Sequence, residues 1–313
     1  MPPSLPAHPV PEPPLPAIPV IVNPKARSAR AGARLADIQA LSPRISLQGT
    51  TSMGDAKQMA ERLARDGVPL IVAAGGDGTV NEVVNGIVRA GTADCTVLGV
   101  LPTGTMNVFA AEMGLPSARL EECWSAITGG DIREVDVWRL NDSFFIQLAG
   151  VGLDAAIIKG TTWECKKRFG PFSYLMSGSR LLAEGAPLLT VRREGHPEVT
   201  GTVVLIGNGR NYGGPFPLFP FAVPGDGLLD VVVMPFHGLR EFYAVGHALF
   251  SGHYAPARGV HYFQTDRLQV EAVPEAACEV DGELAGAAGI FNISWEGTLR
   301  VMTPRGWNPS VAG

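Results

Sequence analysis

Residues 72–86 read Val72-Ala73-Ala74-Gly75-Gly76-Asp77-Gly78-Thr79-Val80-Asn81-Glu82-Val83-Val84-Asn85-Gly86, and they constrain this chain more than any other stretch. Leu70 to Ala74 reads as a short buried strand, the glycines as a turn too tight for side chains, and Val80 onward as an amphipathic helix. Glycines around an aspartate let backbone N–H groups approach an anion closely, and the helix that follows adds the positive end of its dipole. Such a turn suits phosphate. Asp77 is the odd member, because a carboxylate beside bound phosphate repels it unless a divalent cation intervenes or the carboxylate orients another group. The bland alternative is a glycine-rich connection between strand and helix. The Asp-Gly-Thr continuation and the Asn81-Glu82 pair make the pattern more specific than a lone GxGxxG.

The 313 residues suffice for two domains at roughly 150 residues each. A formal net charge of -5 provides no basic field for nucleic acid. Lys166, Lys167 and Arg168 form a short basic run of the kind found on solvated faces. Cys95, Cys123, Cys165 and Cys278 have no CxxC or zinc spacing, which suits reduced thiols and a cytoplasmic protein. Residues 1–17 are proline-dense, read as a disordered tail, and contain neither a signal peptide nor an anchor. No stretch approaches the roughly 20 apolar residues of a membrane span, so any membrane contact is expected to be peripheral. No GxSxG nucleophile elbow appears, which argues against a hydrolase.

In chain order, Ile18 to Val22 is a first strand that ends in the polar loop Asn23-Pro24-Lys25-Ala26-Arg27-Ser28. Helices are expected over 29–40 and 54–66, with a strand over 45–47 between them. Cys95 to Leu101 is a strand leading into Pro102-Thr103-Gly104-Thr105-Met106-Asn107, a second Gly/Thr turn that adds N–H and hydroxyl donors at the same sheet edge. Strands alternating with helices predict an α/β N-terminal domain, doubly wound and largely parallel, over 18–136. From about Asp136 short strands dominate and predict an antiparallel β-sandwich over 137–297, with a last strand near 298–313 returning to the first domain. Gly150-Val151-Gly152-Leu153-Asp154-Ala155 mimics a dinucleotide fingerprint without its βα context. Pro215 to Phe221 is aromatic and non-helical, either a buried loop or an exposed apolar lip. Glu279-Val280-Asp281-Gly282-Glu283 reads alone as a hairpin turn, yet it also projects carboxylates beside a glycine where a hydroxyl could approach.

The central segment resembles the GGDGTxNEVxNG motif of the diacylglycerol kinase catalytic family, which includes sphingosine and ceramide kinases and bacterial lipid kinases. The resemblance extends over 18–303. Residues 23–28 are similar to its NPxSG motif, with Ala26-Arg27 departing from it. Residues 102–110 are similar to PLGTGNDFA, with Val108 where the family has Asp. Residues 281–283 are similar to its DGE motif. The resemblance implies ATP held in an interdomain cleft by Asn23, Lys25, Thr50, Gly75, Gly76, Asp77, Gly78, Thr79, Asn81, Glu82, Thr103, Gly104, Thr105 and Asn107. It implies Asp281 as the base that takes the substrate hydroxyl's proton, Glu283 in support, Asp77 organising Mg²⁺ or nucleotide, and acidic positions at Asp136 and Asp154. Asp226, with the main-chain oxygens of Val223 and Leu228, is the expected ligand set for a structural divalent ion, against a plain Asp-Gly turn. The apolar helices expected over 172–183 and 241–250 would line an acyl-chain groove. The partner is then a lipid at a membrane surface. The oligomeric state stays open, a homodimer included. Two other functions also stay open: a kinase of this fold acting on a soluble acceptor such as NAD, and a catalytically silent lipid- or nucleotide-binding regulator.

Overall fold

The structure is a computed structural model that describes residues 16–24, 31–116, 119–152, 186–212, 217–234 and 260–308. Lys25, Arg27, Asp154, the basic run at 166–168 and the helices expected over 172–183 and 241–250 lie outside the described residues.

The first half begins as the apolar runs dictate. Strands β1 (Ile18–Val22), β2 (Ile45–Gly49), β3 (Leu70–Gly75) and β4 (Val97–Pro102) form a parallel sheet in the order β2-β1-β3-β4. Every residue of β1 and β4 is buried, as expected of parallel strands covered on both faces. Helices α1 (Ala31–Ala40), α2 (Asp55–Arg65), α3 (Asp77–Ala90), α4 (Val108–Glu112) and α5 (Leu120–Gly129) connect these strands or follow them. Helix α3 starts three residues earlier than the apolar period suggests, because the first turn absorbs Asp77, Gly78 and Thr79. Helices α2 and α3 cross closely at Gly86, where a β-carbon would fall 2.4 Å from the Lys57 carbonyl oxygen.

The second half is antiparallel: β5 (Asp131–Leu140), β6 (Ser143–Phe145), β7 (Leu148–Gly152), β8 (Leu188–Arg192), β9 (Val199–Gly201), β10 (Val203–Gly207), β11 (Leu229–Met234), β12 (His261–Thr265), β13 (Arg267–Val280) and β14 (Glu283–Thr303). The sequence suggests two short strands in place of β13 and two in place of β14. Each is instead one long strand with irregularities, between Glu271 and Ala276 and between Cys278 and Glu279 in β13, and between Trp295 and Gly297 in β14. Strand β14 is the spine. It pairs antiparallel with β13 and β5, and near its end Arg300 and Val301 pair in parallel with Val97 and Leu98 of β4. The two halves therefore share one hydrogen-bonded sheet, in the order β12-β11-β10-β7-β13-β14-β4-β3-β1-β2.

Alternation along β10 serves two cores, as a strand's period of two allows. Val204 and Ile206 pack with Trp138, Phe145 and Phe291, whereas Val203 and Leu205 pack with Leu218 and Phe219. The aromatic segment is thus divided. Leu218 and Phe219 are buried, and Phe221 is 66% exposed.

Candidate functional site: two glycine turns against a buried hairpin carboxylate

Strands β3 and β4 end side by side, so the turns that follow them meet. The Thr103 and Gly104 N–H groups donate to the Gly75 carbonyl at 3.0 and 3.3 Å. A β-carbon on Gly104 would lie 2.4 Å from Gly76 Cα, a backbone-on-backbone contact that leaves no room for a side chain. Asn107 holds the second turn from inside. Its backbone is left-handed at φ 51, its Oδ1 accepts the Gly104 N–H at 2.9 Å and its Nδ2 donates to the Gly104 carbonyl at 3.0 Å. Thr103 is buried and Thr105 exposed.

No side chain caps the N-terminus of α3 at Gly76. The first N–H groups of a helix have no intrahelical acceptor, so this end offers donors to an anion. Asp77 does not close it. Its Oδ1 accepts the Phe109 N–H at 3.1 Å, which ties the first turn of α3 to the first turn of α4.

Asp281 and Gly282 form the two-residue connection of the β13–β14 hairpin, with Val280 opposite Glu283. Both have positive φ, 47 and 83, the backbone of a tight primed turn for which Asp-Gly is well suited. Asp281 is buried, whereas Gly282 is exposed. The Asp281 N–H donates to the Leu148 carbonyl at 2.9 Å, which folds the carboxylate inward. Oδ1 accepts the Gln147 and Leu148 N–H groups at 2.9 and 3.0 Å, and Oδ2 accepts Asn81 Nδ2 at 2.7 Å and the Ile146 N–H at 3.2 Å. Burial pushes the Asp281 carboxyl above the ordinary carboxylate range, while the same N–H groups pull in the opposite direction. The bond to Asn81, one helical turn beyond Asp77, joins the hairpin to the glycine-turn helix. Glu283 approaches the same helix end, since a β-carbon on Gly78 would lie 2.9 Å from Glu283 Oε1.

The structure therefore brings Gly75–Thr79, Thr103–Asn107, Asn81, Asp281 and Glu283 into one place. Glu82 goes elsewhere. Its Oε1 and Oε2 accept the Gly54 and Ala56 N–H groups at 2.9 and 3.1 Å and cap α2. Thr50 is buried at the end of β2, its N–H on the Val22 carbonyl at 2.9 Å, and Asn23 lies beside it just past β1. The helical part of the motif proves to be a fastener. Asn81 and Asn85 Nδ2 both donate to the Phe144 carbonyl, at 3.0 and 3.1 Å, and so bind α3 to β6.

Asp136 is 2% exposed and accepts the Gly225 and Gly227 N–H groups at 3.0 and 2.8 Å, together with Trp295 Nε1 at 2.7 Å. Asp226 sits between those glycines in a self-closed turn. Its N–H donates to the Val223 carbonyl at 3.2 Å and its Oδ1 accepts the Leu228 N–H at 2.9 Å. Among the described residues no three His, Cys, Asp or Glu side chains converge as a metal cage. No sequence pattern points to Glu112, a buried residue of α4 whose carboxylate accepts the Arg210 N–H and Asn211 Nδ2, each at 2.7 Å.

A nucleotide-type α/β sheet that runs through one strand into a sandwich-like half, with glycine turns at the seam, defines a recognisable class. Residues 17–140 match the diacylglycerol kinase catalytic domain, and residues 148–303 match the YegS C-terminal NAD kinase beta sandwich-like domain. The chain is 30% identical over 245 residues to the diacylglycerol kinase of Bacillus subtilis (strain 168), covering 77% of this chain and 80% of that one. It is 31% identical over 271 residues to a Chromohalobacter salexigens protein named "Probable lipid kinase YegS-like", covering 85% of each. A crystal structure of a Bacillus anthracis protein assigned to the diacylglycerol kinases superposes with a TM-score of 0.77 at 26% identity, covering 94% of this chain and 96% of that one. The chain belongs to the diacylglycerol kinase catalytic family.

Proposed function

We propose that this protein is an ATP-dependent lipid kinase that transfers the γ-phosphate to a lipid hydroxyl, of the diacylglycerol or sphingoid-base kind, at a membrane surface. The observation that carries the reading is the 2.7 Å bond from Asn81 to Asp281, which holds a buried carboxylate against the helix whose uncapped end receives phosphate. Phosphoryl transfer needs positioning and charge stabilisation more than covalent help. The backbone donors of the Gly75–Thr79 and Thr103–Asn107 turns bind the nucleotide's phosphates, with Asn23 and Thr50 at neighbouring strand ends as further contacts and Lys25, outside the described residues, as a third.

The lipid hydroxyl oxygen attacks the γ-phosphorus, the bond to the β–γ bridging oxygen breaks, ADP leaves, and the hydroxyl proton passes to Asp281. Its Oδ2 is the receiving atom. The Ile146 N–H, at 3.2 Å, is its longest hydrogen bond, and Asn81 retains a second acceptor in Phe144 when it lets go. Burial that raises this carboxyl's pKa suits a base, because proton transfer improves as the pKa nears the working pH. The donor set matches a metal that arrives with its nucleotide: Mg²⁺ typically keeps waters and takes one or two carboxylates beside the phosphates, and Asp77 and Glu283 stand at that helix end. Bound there, Mg²⁺ would neutralise charge developing on the transferred group. A structural cation at Asp226, with the Val223 and Leu228 carbonyl oxygens, is a separate part of the proposal; thermal unfolding of wild type and Asp226→Asn with Mg²⁺ or chelator tests it.

The deciding experiment offers purified protein γ-labelled ATP and Mg²⁺ with dispersed diacylglycerol, a sphingoid base or NAD. A labelled lipid is the expected product. Label on NAD alone would move the acceptor to the soluble class, and no labelled product would remove the kinase reading.

A further inference from the structure

The hydrogen bonds between the halves close into a ring that the seam motifs alone do not explain. Asp77 Oδ1 accepts the Phe109 N–H of α4. One turn on, Glu112 accepts the Arg210 N–H and Asn211 Nδ2 with its two carboxylate oxygens. The Asn211 carbonyl accepts Gln147 Nε2 at 3.3 Å, the Gln147 N–H donates to Asp281 Oδ1 at 2.9 Å, and Asp281 Oδ2 returns to Asn81, on the helix that begins with Asp77. A second connection runs inside the first, since the Asn208 and Gly209 N–H groups both donate to the Gln147 carbonyl. The side chain of Gln147 fills the space over Gly209, where a β-carbon would meet its Nε2 at 2.3 Å.

We propose that Glu112 is a positioning residue for phosphoryl transfer: it pins the Arg210–Asn211 segment to α4 and, through Gln147, fixes Asp281 relative to the two glycine turns. The inference rests on the kinase reading above. Its physical basis is that Glu112 is 8% exposed and both its carboxyl oxygens accept from that segment, so losing either donor would leave a buried acceptor unmatched and it tolerates no slack between α4 and that segment. The backbone from Ile146 to Leu148, which supplies three of the donors to Asp281, is held from behind by Asn208 and Gly209, which lead into that segment, and by Asn211 through the Gln147 side chain. Glu112 touches neither Asp281 nor a glycine turn through any of these bonds. Its effect is on geometry.

The test compares wild type, Glu112→Gln, Asn211→Ala and the double variant on the labelled lipid, with kcat referred to folded protein. Glu112→Gln puts an amide donor against donors, and Asn211→Ala removes one of the two donors to Glu112, leaving the Arg210 N–H in place. The expected result is a fall in kcat towards about 10²-fold in each, the loss that a shift of about 1 Å produces, with KM for ATP little changed. The acid limb of the pH–rate profile should move upward as Asp281 loses well-aligned donors, and the double variant should be no worse than the worse single one. A mere stabilising role would lower Tm and leave kcat and that limb unmoved, which would overturn the proposal. So would a KM for ATP rising in step with any loss, since that puts Glu112 in nucleotide binding. If Glu112→Gln does not fold, Asn211→Ala decides by the same criteria. If wild type labels no acceptor, the kinase reading itself has failed, an outcome distinct from an active wild type with an indifferent Glu112.

Discussion

The two sides of the seam handle polar groups in opposite ways. On the first-half side the turn proposed to bind phosphate is backbone, its helix end is uncapped by side chains, and glycine touches glycine where Gly104 meets Gly76. On the second-half side buried carboxylates are matched to donors: Asp136 to Gly225, Gly227 and Trp295, Asp230 to Tyr262 and Gln264, and Asp281 to Asn81 and three backbone N–H groups. One side leaves its helix-end donors uncapped by side chains, and the other commits donors to its own anions. The contrast teaches why a two-part fold serves group transfer. A phosphate grip built from main chain needs no side chain to be held in place, whereas a carboxylate offered as a base must be held, and holding it takes a scaffold of its own.

Removing the base charge should produce the largest effect. Asp281→Asn is expected to lower kcat by about 10²–10⁴-fold, the range for a positioned proton acceptor, with kcat measured per folded molecule because the amide opposes existing N–H donors. A cellular effect that survives this substitution intact would favour the silent-regulator function over the kinase. Next comes Gly104→Ala on the other side. Its methyl group would fall 2.4 Å from Gly76 Cα, a backbone contact, and 2.8 Å from Asn107 Oδ1, so overpacking of about 1–3 kcal/mol is expected, with KM for ATP rising as the turns separate. Unchanged Tm and KM would show that the glycine contact does not shape the phosphate site.

Much of this was legible in the sequence where one residue type had one use. The glycines of Gly75–Gly78, the apolar runs of β1, β3 and β4, and the Asp-Gly pair at 281–282 each have few structural solutions. Polar residues on a helix surface have many. Asn81 and Glu82 are adjacent and read alike as nucleotide contacts, yet a helix turns about 100° per residue, so they point to different neighbours. Asn81 meets the hairpin, and Glu82 caps α2. Long-range partners of this kind, 200 residues apart for Asn81 and Asp281, leave no local period to read. Glu112 was illegible for the same reason. The continuity of β14 was hidden too, because its glycines and alanines over 284–289 look like turn material.

A smaller effect separates those two neighbours on α3. Glu82→Ala removes the acceptor for two N–H groups at the start of α2 and should cost about 0.5–2 kcal/mol, the usual worth of a helix cap, read as a lower Tm. If Tm holds and KM for ATP rises instead, Glu82 belongs with the phosphate turn, and the division between grip and scaffold is drawn in the wrong place.

The smallest effect tests whether the second half's matched carboxylates still carry a cost. Burial pushes the Asp230 carboxyl above its ordinary value, with the Tyr262 hydroxyl and Gln264 opposing the shift. An acid with a raised pKa binds its proton more tightly in the folded state than in the unfolded chain. Its stabilisation is therefore full below the ordinary carboxylate pKa and is lost as pH rises through the folded value. Asp230→Asn removes that titration while keeping the shape. The stability of wild type relative to this variant should fall as pH rises above the ordinary carboxylate value of about 4, measured by denaturant unfolding at each pH. A difference that stays flat would mean that the Tyr262 and Gln264 donors offset burial completely. The buried carboxylate would then be as inexpensive to hold as the backbone turn it faces, and the asymmetry across the seam would reduce to geometry alone.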